Sequence, residues 1–210
     1  MGKKLVDMDG TLIDSAMRIN MEHKVALEYG LTAEMFWEGR RLAEEKYGPA
    51  LSNYRKLYAG CKEILPDLDE KIVEEWLDVA RTPMLYSDTL NFLASFPKEE
   101  LILFTAGEPG FQNIKIDANG LRDKFSSILI LPSPKANNFH NPEPGMIYLD
   151  DAPREIDAMR LRHPSVYCIQ VREPSPWERQ RSTRRKHRYA WDMTEAITII
   201  KEREKGEAHA

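Results

Sequence analysis

Two aspartates, Asp7 and Asp9, stand one residue apart after a short apolar run and directly before Gly10 and Thr11. Because successive side chains of a β-strand point to opposite faces, residues i and i+2 lie on the same side. Two neighbouring carboxylates repel each other unless a cation lies between them, and Mg²⁺ suits oxygen ligands. Gly10 permits a sharp turn, and the Thr11 hydroxyl is placed to orient one carboxylate. The string therefore predicts a strand that ends at a metal site with a carboxylate nucleophile beside it.

The charge of the chain is unevenly distributed. The formal net charge is −4, but residues 179–188 hold six basic residues and no acidic one, which leaves −10 for the remainder. An acidic body argues against a general nucleic-acid binder and favours a solvated basic loop at 179–188. An alternative stays open, in which this segment binds nucleic acid or another polyanion with Trp177, Tyr189 and Trp191 available for stacking.

Composition and length indicate a globular protein of one large domain, or of a core domain with an insertion. The chain has 210 residues, of which 42% are hydrophobic and 30% charged. Its two cysteines, Cys61 and Cys168, have no metal-type spacing, so we expect reduced thiols. The apolar stretch before Asp7 is too short for a signal peptide, and no apolar run approaches the length of a membrane span. These features predict a cytoplasmic protein without a membrane partner.

Strand-like and helical patterns alternate in the second half of the chain. We interpret residues 101–105, 127–131, 146–149 and 165–171 as strands, the last of these being the final strand of the sheet. Residues 111–119, 153–161 and 194–204 are interpreted as helices, with Thr194 capping the last one. Such alternation predicts a Rossmann-like, three-layer α/β core with a mostly parallel sheet.

The segment between Asp14 and residue 84 has no strand pattern. It contains four amphipathic patterns, at 15–29, 32–47, 49–59 and 68–81, punctuated by glycines and a proline. An insertion of this length is too long for a loop, so it predicts an all-helical cap inserted after the first strand. The predicted domains are therefore an α/β core, residues 1–14 and 85–210, and a helical cap, residues 15–84.

Three further signals follow predicted strands. Thr105 ends the strand at 101–105, Lys135 follows the strand at 127–131, and the pair Asp150 and Asp151 follows the strand at 146–149. Adjacent acids are poor strand residues, and a divalent cation at the carboxyl edge of the sheet would explain them. A lysine near such a site can neutralise an anionic substrate. Lys115 and Lys124 are the alternatives for this role.

Taken in order, these motifs resemble the haloacid dehalogenase-like (HAD) superfamily, specifically its phosphatase branch with an α-helical (C1-type) cap. The resemblance is carried above all by VDMDGTLIDS at the start and DDAPRE after the strand at 146–149, and it covers nearly the whole chain. It implies a Mg²⁺-dependent phosphomonoester hydrolase that acts through an aspartyl-phosphate on a small phosphorylated metabolite. Two alternatives stay open: a phosphosugar mutase, and a catalytically weak relative used for binding or regulation. The short first strand and the short stretch between Lys135 and Asp150 favour the second alternative.

The resemblance also implies roles for individual residues. Asp7 would be the nucleophile and Asp9 the general acid and base, while Thr105 and Lys135 would hold phosphoryl oxygens. Because a halide needs no proton on leaving, dehalogenases lack the second aspartate, so Asp9 points to ester hydrolysis. Contact with phosphate or substrate is assigned to Gly10, Thr11, Ala106 and Gly107.

The same resemblance implies a set of metal ligands. Asp7 and Asp151 would bind Mg²⁺ directly, and Asp9 would contribute its backbone carbonyl. Asp150 would belong to the same metal site, and Glu155 would be an outer acidic group.

Overall fold

The computed structural model of the chain describes residues 2–48, 53–140, 142–172 and 188–207. The chain divides into two compact units. The first, here called the sheet unit, comprises Met1–Asp14, Leu85–Ala106 and Gly120–Ala210, and the second, the helical unit, comprises Ser15–Met84 and Gly107–Asn119. The helical unit thus contains Gly107–Asn119 in addition to the segment predicted as a cap. Across the described ranges, no helix combines the length and apolar character needed to cross a bilayer.

The described residues of the sheet unit form six parallel strands. They are β1 (Lys4–Val6), β2 (Leu101–Ala106), β3 (Ser127–Leu131), β4 (Ile147–Asp150), β5 (Tyr167–Val171) and β6 (Arg188–Ala190). Their order in the sheet is β3-β2-β1-β4-β5-β6, and every pair is parallel. The predicted α/β class with a Rossmann-like parallel sheet is confirmed.

The helices of the described residues lie in both units. They are α1 (Ser15–Glu28), α2 (Ala33–Tyr47), α3 (Tyr54–Ile64), α4 (Ile72–Ala80), α5 (Thr89–Ala94), α6 (Pro109–Ala118), α7 (Pro153–Arg162) and α8 (Met193–Glu207). Helices α1–α4 and α6 belong to the helical unit, and α5, α7 and α8 belong to the sheet unit.

The last strand and the last helix of the described chain both differ from the prediction. The prediction that residues 165–171 form the last strand is wrong, because β6 pairs with β5 beyond it. This strand was missed because it has three residues and begins on Arg188, the last residue of the basic segment interpreted as a loop. The final helix is also capped differently, since Asp192 Oδ1 accepts a hydrogen bond from the Glu195 backbone nitrogen at 2.8 Å. Of the segment 179–188, only Arg188 lies within the described residues, and Trp177 lies outside them.

The short central strand is completely buried. All three residues of β1 are buried, and Leu5 packs in one cluster with Phe104, Tyr148, Ile156 and Met159. Burial on both faces is typical of an inner strand of a parallel sheet. Hydrogen bonding continues one residue beyond the strand, because the Asp7 backbone nitrogen donates to Leu149 O at 2.9 Å. The position of Asp7 is therefore fixed by the sheet itself.

The helical unit has its own apolar core. Trp76, which belongs to the amphipathic pattern at 68–81, is fully buried and lies in one cluster with Phe36, Tyr54, Leu57 and Phe111. Both cysteines of the chain are buried and free, Cys61 in this cluster and Cys168 in the core of the sheet unit.

Helix α3 is placed differently from its prediction. The pattern predicted a helix over 49–59, whereas α3 begins at Tyr54, capped by the Asn53 side chain, and runs to Ile64. Residues 49–52 lie outside the described part of the chain. Gly60, one of the glycines interpreted as separating the helical patterns, lies inside α3, where a Cβ atom would come within 2.0 Å of Gly39 O on α2. A glycine is therefore needed at this position because α3 packs closely against α2, and it does not end a helix.

We expect Gly60→Ala to destabilise the protein by about 1–3 kcal/mol, because the added methyl group overlaps the backbone of α2. The denaturation midpoint in urea measures this effect. The matched control is Gly206→Ala in α8, where an added Cβ meets no atom within 4 Å. That variant should be neutral or more stable by up to about 1 kcal/mol. Equal midpoints for the two variants would contradict the packing argument.

Candidate active site and metal centre

The predicted site residues of the sheet unit gather at the carboxyl ends of three neighbouring strands. Asp7 follows β1, Thr105 lies near the end of β2, and Asp150 ends β4. Because β1 lies between β2 and β4 and all three run parallel, these ends share one edge of the sheet. Ligands of open α/β sheets bind at this edge.

The loop after β1 forms a tight turn stabilised by backbone hydrogen bonds. Gly10 has a φ of 82° and donates its backbone N–H to Ile13 O, while Leu12 and Ile13 both donate to Met8 O. The prediction placed Asp7 and Asp9 on one face of a strand, but β1 ends at Val6, so that periodicity does not extend to them. Asp9 instead lies in the turn and forms an isolated bridge with Ile13.

Three carboxylates converge at the carboxyl edge. Asp7, Asp150 and Asp151 each offer a carboxylate oxygen, and these oxygens lie within 4.8 Å of one another. All three residues are buried. Asp9, predicted with them, is not a member of this group, although its charge contributes to the pKa of Asp7. Gly10 packs against the Asp151 side chain so closely that a Cβ atom would lie 2.3 Å from Oδ2.

Lys135 contacts two of these three acids. Its Nζ donates to Asp7 Oδ1 at 2.5 Å, to Asp150 Oδ2 at 2.6 Å and to Phe104 O at 3.2 Å. Of the two alternative lysines, Lys115 belongs to α6 of the helical unit, with its Nζ over the Phe111 ring, and Lys124 of the sheet unit is exposed. Of the three candidates, Lys135 is the one that contacts the predicted nucleophile.

The two adjacent acids at the end of β4 have different surroundings. Asp150 accepts hydrogen bonds from Lys135, from the Tyr148 hydroxyl and from the Ala152 backbone nitrogen, the last at 2.7 Å. It therefore anchors the lysine. The Asp151 backbone nitrogen donates to Thr11 Oγ1 at 3.1 Å. The Thr11 hydroxyl, predicted to orient a carboxylate, thus fixes the backbone of Asp151.

Glu155, predicted as an outer acidic group, supports the lysine loop. Its carboxylate accepts a hydrogen bond from the Lys135 backbone nitrogen at 2.8 Å and another from the Ser133 hydroxyl. Glu155 is buried in the first turn of α7. It therefore positions the segment that carries Lys135.

The remaining predicted residues lie along β2 and beyond it. Thr105, the second-to-last residue of β2, is buried, and Ala106, the last residue of β2, is half-buried. Gly107 begins the second segment of the helical unit with a φ of 145°, and a Cβ there would lie 3.1 Å from the Gln112 side chain. Their assigned contacts with phosphate or substrate stay predictions.

Burial dominates the electrostatics of the acidic group. Burial raises the pKa of Asp7 to about 8, Lys135 opposes the rise, and the charges of Asp150 and Asp9 add to it. Burial also lowers the pKa of Lys135, but the Asp150 and Asp7 carboxylates outweigh it, so that this pKa lies above its usual value. Lys135 therefore stays charged, and one cation faces more than one buried acid. An additional positive charge would stabilise the ionised form of Asp7.

Sequence reasoning missed Tyr148 and Ser133. Tyr148 is completely buried and was interpreted only as part of an apolar strand. The one available signal was its spacing from Asp150, since residues two apart in a strand lie on the same face. Ser133 had no signal, because the hydroxyl becomes relevant only through the fold-dependent approach of Glu155.

No protein-family model matches the chain, and no curated protein matches it in sequence. Its structure, however, is similar to solved structures over almost its entire length. An L-2-haloacid dehalogenase from Xanthobacter autotrophicus is 13% identical with a TM-score of 0.68, covering 96% of this chain and 99% of that one. A haloacid dehalogenase-like hydrolase from Burkholderia xenovorans LB400 is 18% identical with a TM-score of 0.73, covering 96% and 98%.

A HAD-hydrolase from Bacillus subtilis, YfnB, whose structure is bound to magnesium, is 11% identical with a TM-score of 0.65, covering 95% of this chain and 98% of that one. The matched structures include both dehalogenases and a phosphatase. The chain therefore has the haloacid dehalogenase-like fold, which confirms at the level of the fold the resemblance carried by its motifs. Because this fold is shared by dehalogenases and phosphatases, the reaction has to be inferred from the residues of the site.

Proposed function

We propose that this chain, which has the haloacid dehalogenase-like fold, is a Mg²⁺-dependent phosphomonoester hydrolase that acts through an aspartyl-phosphate on a small phosphorylated metabolite. One observation carries the proposal: carboxylate oxygens of Asp7, Asp150 and Asp151 lie within 4.8 Å of one another, and the Lys135 ammonium contacts the first two of these residues. Such a concentration of buried acid is costly unless cations neutralise it. A phosphoryl substrate adds further negative charge to the same place.

The donor set fits Mg²⁺. The converging ligand atoms are carboxylate oxygens, which hard divalent cations prefer. Because Asp150 already accepts from three protein donors, Asp7 and Asp151 are the residues that would hold the ion, together with the Asp9 carbonyl. Bound there, Mg²⁺ would neutralise charge on the phosphoryl group and keep Asp7 ionised. The magnesium bound in the Bacillus subtilis HAD-hydrolase supports this choice of cation.

The chemistry is then divided among the residues of this chain. An Asp7 oxygen attacks phosphorus, the new oxygen–phosphorus bond forms as the ester bond breaks, and Asp9 donates a proton to the leaving alkoxide. In the second step Asp9 takes a proton from water, whose oxygen attacks the phosphoryl group and releases phosphate from Asp7. Lys135 and Thr105 would stabilise the charge on the equatorial phosphoryl oxygens.

Asp9 decides between ester hydrolysis and dehalogenation. A halide leaves without a proton, whereas an alkoxide leaves much faster when an acid protonates it. Asp9 lies two residues beyond the proposed nucleophile and close enough to raise its pKa. The proposal therefore favours phosphomonoester hydrolysis over halide release.

The test is a panel of phosphomonoesters with p-nitrophenyl phosphate and 2-chloropropionate, each with Mg²⁺ and with EDTA. We expect phosphate release that requires Mg²⁺, and no chloride release. Chloride release without phosphate release would make the chain a dehalogenase. Inactivity across the panel at saturating Mg²⁺ would leave the alternative of a binding or regulatory protein, and transfer of phosphate between sugar hydroxyls would indicate a mutase.

Asp9→Asn should separate the two steps. Because nitrophenolate leaves without protonation, this variant should still form the aspartyl-phosphate from p-nitrophenyl phosphate but hydrolyse it slowly. We expect a burst of about one nitrophenolate per protein followed by turnover about 10²–10⁴-fold slower than in the wild type. Rapid-mixing absorbance measures both phases. Asp9→Asn turnover equal to that of the wild type would contradict the role of Asp9.

A further inference from the structure

The residue directly after β5, Arg172, has an unusual backbone conformation and a side chain with several polar and ring contacts. Its φ is 66°, in the left-handed region that non-glycine residues seldom adopt. The guanidinium lies over the Tyr86 ring, with Cζ 3.7 Å from the ring centroid. Backbone conformations of this kind cluster at functional sites, where the surrounding structure holds them in place. The contacts of the guanidinium indicate what it does there.

Arg172 connects three separate parts of the sheet unit. Its Nε donates to Thr11 O at 3.2 Å, and its Nη2 forms an ion pair with Asp88 Oδ1. The other oxygen of Asp88 accepts from the Met193 backbone nitrogen at 2.8 Å, at the start of α8. The guanidinium is therefore held by a charge-assisted hydrogen bond and by stacking while its Nε reaches the loop after β1.

The loop that Arg172 reaches carries proposed catalytic and metal-binding groups. Thr11, whose carbonyl accepts from Arg172, also receives the Asp151 backbone N–H on its hydroxyl. The preceding residue, Gly10, packs directly against the Asp151 carboxylate. The next carbonyl, that of Leu12, accepts from the Tyr86 backbone nitrogen at 3.0 Å and from the Thr89 hydroxyl at 2.8 Å. Arg172 thus provides one of the contacts that hold this loop against the end of β4.

The strand order explains why a long side chain is needed. β4 lies between β1 and β5, so a group after β5 must span two strand spacings, about 10 Å, to reach the loop after β1. The carboxyl end of β4, which Asp151 directly follows, lies between these two strand ends in the sheet order. Lysine has the length but lacks the planar fork that can donate to two acceptors while stacked on a ring.

We propose that Arg172 is a positioning residue that fixes the loop after Asp9 against Asp151, so that the metal-binding groups stay correctly spaced. The proposal rests on the Mg²⁺-dependent hydrolase function proposed above. It assigns Arg172 no contact with substrate. Residues that orient metal ligands from outside typically change metal affinity or activity 10–100-fold when substituted.

The experiment compares Mg²⁺ binding by Arg172→Met and by the wild type in calorimetric titrations, with the unfolding midpoint of the metal-free proteins measured alongside. We expect Mg²⁺ affinity to fall about 10–100-fold in Arg172→Met. Hydrolysis should show the same shift in the Mg²⁺ concentration for half-maximal rate, while KM for p-nitrophenyl phosphate at saturating Mg²⁺ should not change. A purely structural role would lower the unfolding midpoint without this selective change.

Three variants serve as controls. Arg203→Met removes another guanidinium that stacks on a tyrosine, Tyr167, at the opposite end of β5, and should bind Mg²⁺ as the wild type does. Arg172→Gly suits the left-handed backbone but lacks the guanidinium, so it should lose affinity as Arg172→Met does. Arg172→Lys keeps the charge and should fall between these variants and the wild type. If Arg172→Met does not fold, Arg172→Lys is compared with the wild type in its place.

The outcomes separate the two proposals. A wild type that binds Mg²⁺, together with Arg172 variants that bind it equally well, overturns the role of Arg172 and leaves the hydrolase intact. Wild-type affinity in Arg172→Gly alone also overturns it, since the backbone and not the guanidinium would then matter. A wild type that neither binds Mg²⁺ nor hydrolyses esters overturns the hydrolase and the positioning role together.

Discussion

Asp7→Asn is expected to abolish both hydrolysis and Mg²⁺ binding while leaving the fold intact. The substitution keeps the size of the side chain and an oxygen that can accept from Lys135, but it removes the proposed nucleophile. Loss of a covalent nucleophile lowers turnover by roughly a thousandfold or more. Phosphate release measures the first effect. The second is measured by the rise in unfolding midpoint with Mg²⁺, which should occur in the wild type and not in Asp7→Asn.

The same variant should change how stability depends on pH. Burial raises the pKa of Asp7 from 3.8 to about 8 in the folded protein, so the folded state holds this proton more tightly than the unfolded state. Ionisation of Asp7 therefore opposes folding, and the contribution of Asp7 to the stability of the metal-free wild type should fall as the pH rises from about 4 to about 8. The asparagine side chain of the variant cannot ionise. The metal-free variant should thus be increasingly more stable than the wild type across this window.

The matched control for these measurements is Asp123→Asn, the same chemical change at an exposed position of the sheet unit. It should change neither activity nor the pH dependence of stability. If Asp7→Asn retained wild-type turnover, the proposed nucleophile would be wrong. If the stability difference between Asp7→Asn and the wild type did not grow with pH, the raised pKa would be wrong, independently of the catalytic mechanism.

Lys135→Met should give the largest loss of stability, in addition to loss of hydrolysis. The Lys135 ammonium contacts both Asp7 and Asp150, and all three side chains are buried. Removing one member of a buried ion pair leaves an uncompensated charge and costs about 3–5 kcal/mol. Urea denaturation at neutral pH measures this cost. Phosphate release should fall as well, because the equatorial phosphoryl oxygens lose their lysine.

A second substitution shows whether the lost charge pairing is the cause. Lys135→Met combined with Asp150→Asn removes one acid together with the lysine, so the double variant should recover part of the stability lost by Lys135→Met. Lys98→Met, at an exposed lysine of the same unit, is the matched control and should be nearly neutral. A single variant Lys135→Met as stable as Lys98→Met would show that the buried contacts contribute little.

The sequence predicted the elements whose signals are local. Apolar runs predicted the strands β1–β5. The positions of Asp7, Asp151 and Lys135 after such runs predicted that these residues lie at one edge of the sheet. The strand β6 was not predicted, because three residues are too few to show a periodic pattern. Gly60 was misinterpreted because a glycine between two helical turns can end a helix or let another helix approach. Only the position of α2 distinguishes these two uses.

The unequal roles of the adjacent acids also required the structure. In the sequence Asp150 and Asp151 were both candidate metal ligands, yet Asp150 is occupied by Lys135 and Tyr148. Which acid faces the lysine depends on the direction of the strand end and on the turn that follows it. The reach of Arg172 to the loop after β1 likewise depends on strand order, which no residue pattern in its neighbourhood specifies.

The place of β1 in the sheet has a consequence for how the chain folds. Lys4 pairs with Leu101 on one side and with Ile147 on the other, so the earliest strand joins two groups of strands that are synthesised much later. Contacts between residues so distant in the chain form slowly, because a long loop must close before they form. Until then β2 and β4 each lack their inner neighbour and expose unpaired backbone edges, which are prone to aggregation. We therefore expect aggregation to be most favoured in the interval between the synthesis of β1 and its pairing.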